Sequence, residues 1–214
     1  MTTAIGRGVR LEIGLTTSTA KTVTAVTLAS PGVATSSTHG LANGVVGHWT
    51  VAAGMVQLDG QATRVYNQST NAFDLQGLNT AGYSTFSGSQ SFTPVATWGT
   101  LSETIGYSIG GGSPDVLDDT KISDVIKQEI IGTLPADTVQ IDVLSQTYNS
   151  SVMQLIEDAS IQQTNLVWRI TQQDGSVRVW RGIPSRPGES LQRQQLATGS
   201  FQCTVKGFVL RGAA

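Results

Sequence analysis

The sequence predicts an all-β fold with one short α-helix, carrying a small β module inserted into a larger domain. Three observations predict it. Apolar residues recur mostly at every second position, the period of a strand with one buried face. Turn segments containing Gly, Asn and Asp separate those runs. One segment carries an apolar stripe at helical spacing. Composition sets the bounds: of 214 residues, 39% are apolar and 13% charged, against about a quarter charged in an ordinary globular chain. Polarity comes instead from 48 Ser and Thr residues together with 24 Gly. Low charge with that apolar content argues against a disordered tail, and the length can bury a real core.

Val9, Leu11, Ile13 and Leu15 alternate with Arg10, Glu12 and Gly14 and predict a first strand. Residues 31–92, rich in Gly, Ser, Thr and Asn, read as the inserted module, with 1–30 and 93–214 forming the larger domain. Inside the module, 55–58, a turn at Asp59-Gly60 and 62–66 predict a hairpin, and 72–75 a further strand. Residues 87–91 read as a flexible exit, and 110–114 break the chain again. Ile122, Val125, Ile126 and Ile130 have helical spacing, but their β-branching and the Gly132 and Pro135 that follow favour a strand. Val139, Ile141 and Val143 alternate with polar residues. Val152, Leu155, Ile156 and Ala159 form the helical stripe, with Asn149 or Ser150 as its cap. Leu166, Trp168 and Ile170 begin a hairpin that turns at Asp174-Gly175 and returns along 177–181. Phe201, Cys203 and Val205 make a last strand, which buries the one cysteine as an inert thiol.

Reactive constellations are scarce. His39 and His48 have no Cys or carboxylate at zinc-ligand spacing. Gly110-Gly111-Gly112 lacks the Lys-Ser/Thr of a phosphate loop, and no Ser sits in a G-x-S-x-G turn. The Asp118-Asp119 pair reads as a solvated turn. The sequence therefore predicts no enzyme, no metal and no cofactor. Trp168 and Trp180 beside Arg169, Arg178 and Arg181 look superficially like a nucleic-acid platform. Alternation instead puts Trp168 with Leu166 and Ile170 in the core and Arg169 on the surface. No run approaches the roughly 18 apolar residues of a membrane span, and the start lacks an apolar signal core, so neither membrane insertion nor secretion is expected.

The few charges are segregated. Residues 1–110 are neutral overall, 111–167 carry net −7 and 168–214 net +5. Either these blocks meet inside one monomer or face water, or they form an acidic and a basic face for contact between copies.

The opening AIGRGVRLEIG, the segment ISDVIKQEIIGTLPADTVQIDVLSQTYNSS, the helix and the closing WRITQQDGSVRVWRGIPS…FQCTVKGFVL together resemble the tail tube protein of long, flexible-tailed bacteriophages. The VQIDVL strand before a polar loop and helix, and the DG hairpin ending VWRG, are the most specific parts. Separately, HGLANG…GMVQLDGQATRVYNQSTNAFDLQGLNTAGYSTFSG resembles a phage-tail β module named after the first catalytic cysteine half-domain of ubiquitin-activating enzymes. This copy holds no cysteine, so no ubiquitin chemistry is implied.

The tail tube resemblance covers 1–30 and 93–214 and implies a β-sandwich or barrel-like tube domain. It implies six-membered rings that stack into a hollow tube, wrap a tape-measure protein, meet tail terminator and baseplate or tail-tip proteins, and pass double-stranded DNA non-specifically. The location implied is the virion tail, with synthesis in the host cytoplasm. Asp118, Asp119, Asp124 and Glu129 are then expected on an acidic face, lining the lumen or contacting a ring. Arg178, Arg181, Arg186 and Arg193 are expected as basic contacts between subunits, with 183–200 bridging rings. The alternative is a tail-associated adhesin or carbohydrate-binding β protein acting through Trp49, Tyr66 and Tyr83 of the module.

Overall fold

Period-two alternation does produce strands along most of the chain. A computed structural model describes residues 8–102, 104–121, 125–144, 150–190, 193 and 196–213. The strands are β1 (Arg10–Thr17), β2 (Lys21–Val23), β3 (Ala25–Val26), β4 (Val33–Thr35), β5 (Val46–Thr50), β6 (Ala62–Tyr66), β7 (Ala72–Leu75), β8 (Gln90–Thr100) and β9 (Thr104–Gly110). After them come β10 (Val116–Asp118), β11 (Glu129–Ile131), β12 (Thr138–Leu144), β13 (Leu166–Thr171), β14 (Val177–Pro184), β15 (Gly188–Ser190), β16 (Thr198–Val205) and β17 (Leu210–Gly212). One helix, α1 (Ser151–Ile161), separates β12 from β13. The protein is all-β with a single short helix.

A single antiparallel sheet runs β3-β4-β7-β6-β5-β8-β1-β13-β14-β16-β12-β9, with β2 on β8, β15 on β16 and β17 on β14. β8 is the join: it pairs with β5 on one side and β1 on the other. The strands of 31–92 therefore continue the main sheet. The β13–β14 hairpin forms as the DG turn requires, with Thr171 opposite Val177 and Gly175 at φ +79°.

Both faces of β13 and β14 are covered. On one, Trp168, Ile170 and Trp180 pack with Ile141, Phe201, Cys203 and the buried stripe of α1, Val152, Met153, Ile156 and Ala159. The two indoles stack with centroids 6.0 Å apart. On the other face, Val167, Val177, Val179 and Leu210 join a core with Trp49, Phe73 and Phe92 from the 31–92 segment and β8. The Ser150 hydroxyl caps α1 by accepting the Met153 N–H at 3.2 Å.

Four expectations change. Residues 55–58 are not a strand: Val56–Leu58 is a 3-10 turn that buries Met55 and Leu58 three apart and exposes Val56. The partner of β6 is β5 instead. Of the apolar run 122–130, only its end lies in a strand, β11; Val125 and Ile126 form an exposed bend, and Ile122 lies outside the described residues. The exit at 87–91 ends early, because Gln90 and Ser91 already belong to β8. Gln90 is buried, and its side chain bonds Ala52 N–H and the Ala53 and Ser87 carbonyls. Finally, Leu15 is exposed although it continues the β1 alternation, because the register against β8 shifts between Gly14 and Thr16.

Candidate assembly surfaces

β10 and β11 form a two-stranded sheet of their own, apart from the main one. Val116 lies opposite Ile131, Leu117 opposite Ile130, and Asp118 opposite Glu129. Alternation gives this arm two faces: Val116, Ile131, Asp118 and Glu129 on one, Leu117 and Ile130 on the other. Its apolar side chains are all exposed, from 52% at Ile130 to 74% at Ile131, and Val125 in the bend is 100% exposed. An isolated hairpin without a covered face is marginal in water. Two carboxylates directly opposite each other oppose the pairing further. Local contacts compensate in part: Lys127 Nζ meets Glu129 at 2.7 Å, and the Thr120 hydroxyl and N–H both bond Asp118. Those two bonds hold the Asp118 carboxyl below its ordinary range. Asp119 donates its backbone N–H to the Gln128 carbonyl. Asp124 lies outside the described residues.

The four arginines singled out on the basic side are placed differently from one another. Arg178 and Arg181 project from opposite faces of β14, since they are three residues apart. Arg186 and Arg193 are exposed in the connection that follows. Arg181 is half-buried beneath the 31–92 segment beside His48, and burial lowers its pKa. The His48 imidazole is driven down to about 4, first by burial and then by the Arg181 charge. His48 Nδ1 and Arg181 Nε have no partner among the described residues. Beside them Lys206 pairs with Asp59 at 3.0 Å and tethers the 55–61 turn to the end of β16.

Arg169 is only partly exposed. Its Nη2 and Nε lie 2.7 and 2.8 Å from Glu12 Oε2, and its guanidinium sits 4.2 Å over the Trp98 ring. Glu12 itself is buried in β1, where alternation alone predicts an exposed polar residue. This pair belongs to a cleft of about 570 Å³ between the main sheet and the 43–46 turn, to which Arg10 and Arg64 also contribute. Arg10 reaches Glu12 Oε1 at 3.5 Å. Among the described residues, Arg64 bonds only neutral acceptors, Gln76 Oε1 and the Ala213 carbonyl. Burial and the charge of Arg169 lower its pKa. Sequence reasoning missed this cluster, because its three arginines come from β1, β6 and β13 with no local spacing to connect them.

Other sequence-derived sites resolve simply. Trp49 is fully buried and gives its indole N–H to Thr63 Oγ1 at 2.9 Å, so it cannot stack on a ligand. Tyr83 packs half-buried against the same core, while Tyr66 is exposed. Cys203 is buried, and burial pushes its thiol up to about 12. Among the described residues, no three His, Cys, Asp or Glu side chains are grouped to hold a metal. None of the described helices is long and apolar enough to cross a membrane.

A family model described as phage tail tube protein, TTP, matches residues 53–213. Among curated proteins none matches the chain. The family match runs from the 3-10 turn through both core clusters and the exposed arm to β17. Because it spans most of the chain, the chain belongs to the phage tail tube protein family, structural proteins of the virion tail.

Proposed function

We propose that this chain polymerises as stacked six-membered rings to form the hollow tube of the tail. The exposed apolar arm carries the reading. Side chains such as Leu117, Ile130 and Ile131 gain nothing in a monomer, whereas contact with another copy would bury them at about 25 cal/mol per Å² of apolar surface. The edges of β9 and β3, unpaired among the described residues at the two ends of the sheet path, support it too, since pairing across subunits would close a barrel and remove them. Ring-on-ring contact is heterologous and does not close, so it propagates as a filament.

In this reading the tube surrounds a tape-measure protein during assembly, ends against terminator and baseplate or tail-tip proteins, and later conducts double-stranded DNA. A lumen without a basic lining lets DNA slide, because phosphate binding by counterion release would hold it. The 31–92 segment would decorate the outside as the module of a discontinuous chain. The arm acids Asp118, Asp119 and Glu129 are assigned to contact between rings.

Electron microscopy of negatively stained, purified protein at rising concentration tests the reading. Rings or hollow rods are expected; particles that remain discrete monomers or trimers at every concentration would refute it.

A further inference from the structure

We propose that the cleft containing Arg10, Arg64 and Arg169 receives the acidic face of the β10–β11 arm of a second copy of this chain. This rests on the polymer reading above and names the receiving surface.

Charge is the first ground. Glu12 is the one carboxylate among the described residues lining the cleft, and it is shared by Arg10 and Arg169. Among the described residues, Arg64 is matched only by neutral oxygens. Three guanidinium groups thus face one carboxylate in a partly desolvated site, which favours entry of further anionic groups. The arm has the opposite excess: Asp118 and Glu129 stand directly across from each other on one face, with Lys127 on Glu129, and a further cation would relieve the pairing.

Apolar character is the second ground. Val116 and Ile131 flank the acidic pair on the same arm face. The cleft offers Val95, Val177 and Trp98 beside its arginines. Both surfaces therefore combine apolar side chains with charge, of opposite sign. Arg10, with a side chain 64% exposed, stands at the entrance, whereas Arg169 is 22% exposed and already locked on Glu12 and Trp98. Arg10 and Arg64 are left to engage the incoming carboxylates, within reach of charge-assisted hydrogen bonds.

The test uses full-length protein and sedimentation of polymer against concentration. Arg10→Glu, and separately Asp118→Lys with Glu129→Lys, should each raise the concentration needed for polymer at least about tenfold, as like charges then face each other. Combining the three changes should restore most of the loss. Arg10→Gln, which removes charge without reversing it, should give a smaller rise. Arg186→Glu and Arg193→Glu should polymerise as wild type does. The proposal is overturned if Arg10→Glu polymerises normally while folded, if the combined variant shows no recovery, or if Arg186→Glu or Arg193→Glu is the change that blocks assembly. Wild-type protein that never polymerises would instead overturn the tube reading itself.

Discussion

Glu12 and Arg169 hold the centre of the cleft through a contact that strand alternation does not anticipate. A carboxylate this buried is tolerated because two guanidinium groups bond it and an aromatic face supports one of them. Glu12→Gln leaves Arg169 with its charge unmatched and should cost about 2–4 kcal/mol in urea unfolding. Adding Arg169→Gln should recover part of that loss, the non-additivity expected of a contacting pair. His48 gives a pH signature. Its folded value of about 4 lies below its ordinary 6.5, so the unfolded chain takes up a proton where the folded chain resists it. The stabilisation is fully present above about 6.5 and is lost as pH falls from 6.5 toward 4. Thermal melts should show a declining midpoint across that window, and His48→Gln should make the decline shallower.

The helix, the hairpins and the arm differ in what stabilises them. α1 has its stripe against the Trp168–Trp180 core and a cap at Ser150. Ser150→Ala should cost about 1 kcal/mol, read by chemical denaturation, because the Met153 N–H loses its side-chain acceptor and keeps only the Ser150 carbonyl. The β13–β14 hairpin was fully legible in the sequence, since the DG turn and two flanking apolar phases all act locally. The 55–58 segment was misread because Met55-Val56-Gln57-Leu58 satisfies a spacing of three as well as an alternation. Tertiary burial of both Met55 and Leu58 selects the 3-10 turn. The arm inverts the usual relation between apolar sequence and core. Its residues are apolar, β-branched and strand-forming at the ends, yet nothing among the described residues covers them. Leu117→Ser with Ile130→Ser should therefore change monomer stability by no more than about 0.5 kcal/mol, the range of ordinary surface changes. The same pair should abolish rods under the electron microscope. A large loss of monomer stability would show that the arm is covered within the subunit.

For the whole chain, the proposed polymer gives low charge density a physical reason. Surfaces to be buried against identical copies are depleted of charge, because each buried ion needs a partner. The net charge of −2 conceals two opposed blocks. Their members disperse in three dimensions: Asp118 and Glu129 on the arm, Arg181 under the 31–92 segment, Arg186 and Arg193 in an exposed connection. Segregation along the chain thus does not tell which charges share a surface. The sequence by itself determined β1, β12, the β13–β14 hairpin, β16, the helix and the buried cysteine, because periodicity, turns and caps act between near neighbours. Only the tertiary structure decided that Arg10, Arg64 and Arg169 share one cleft and that the arm's apolar residues find no cover. Those facts depend on strand register and on how 31–92 folds against the sheet, and no spacing along the chain encodes either.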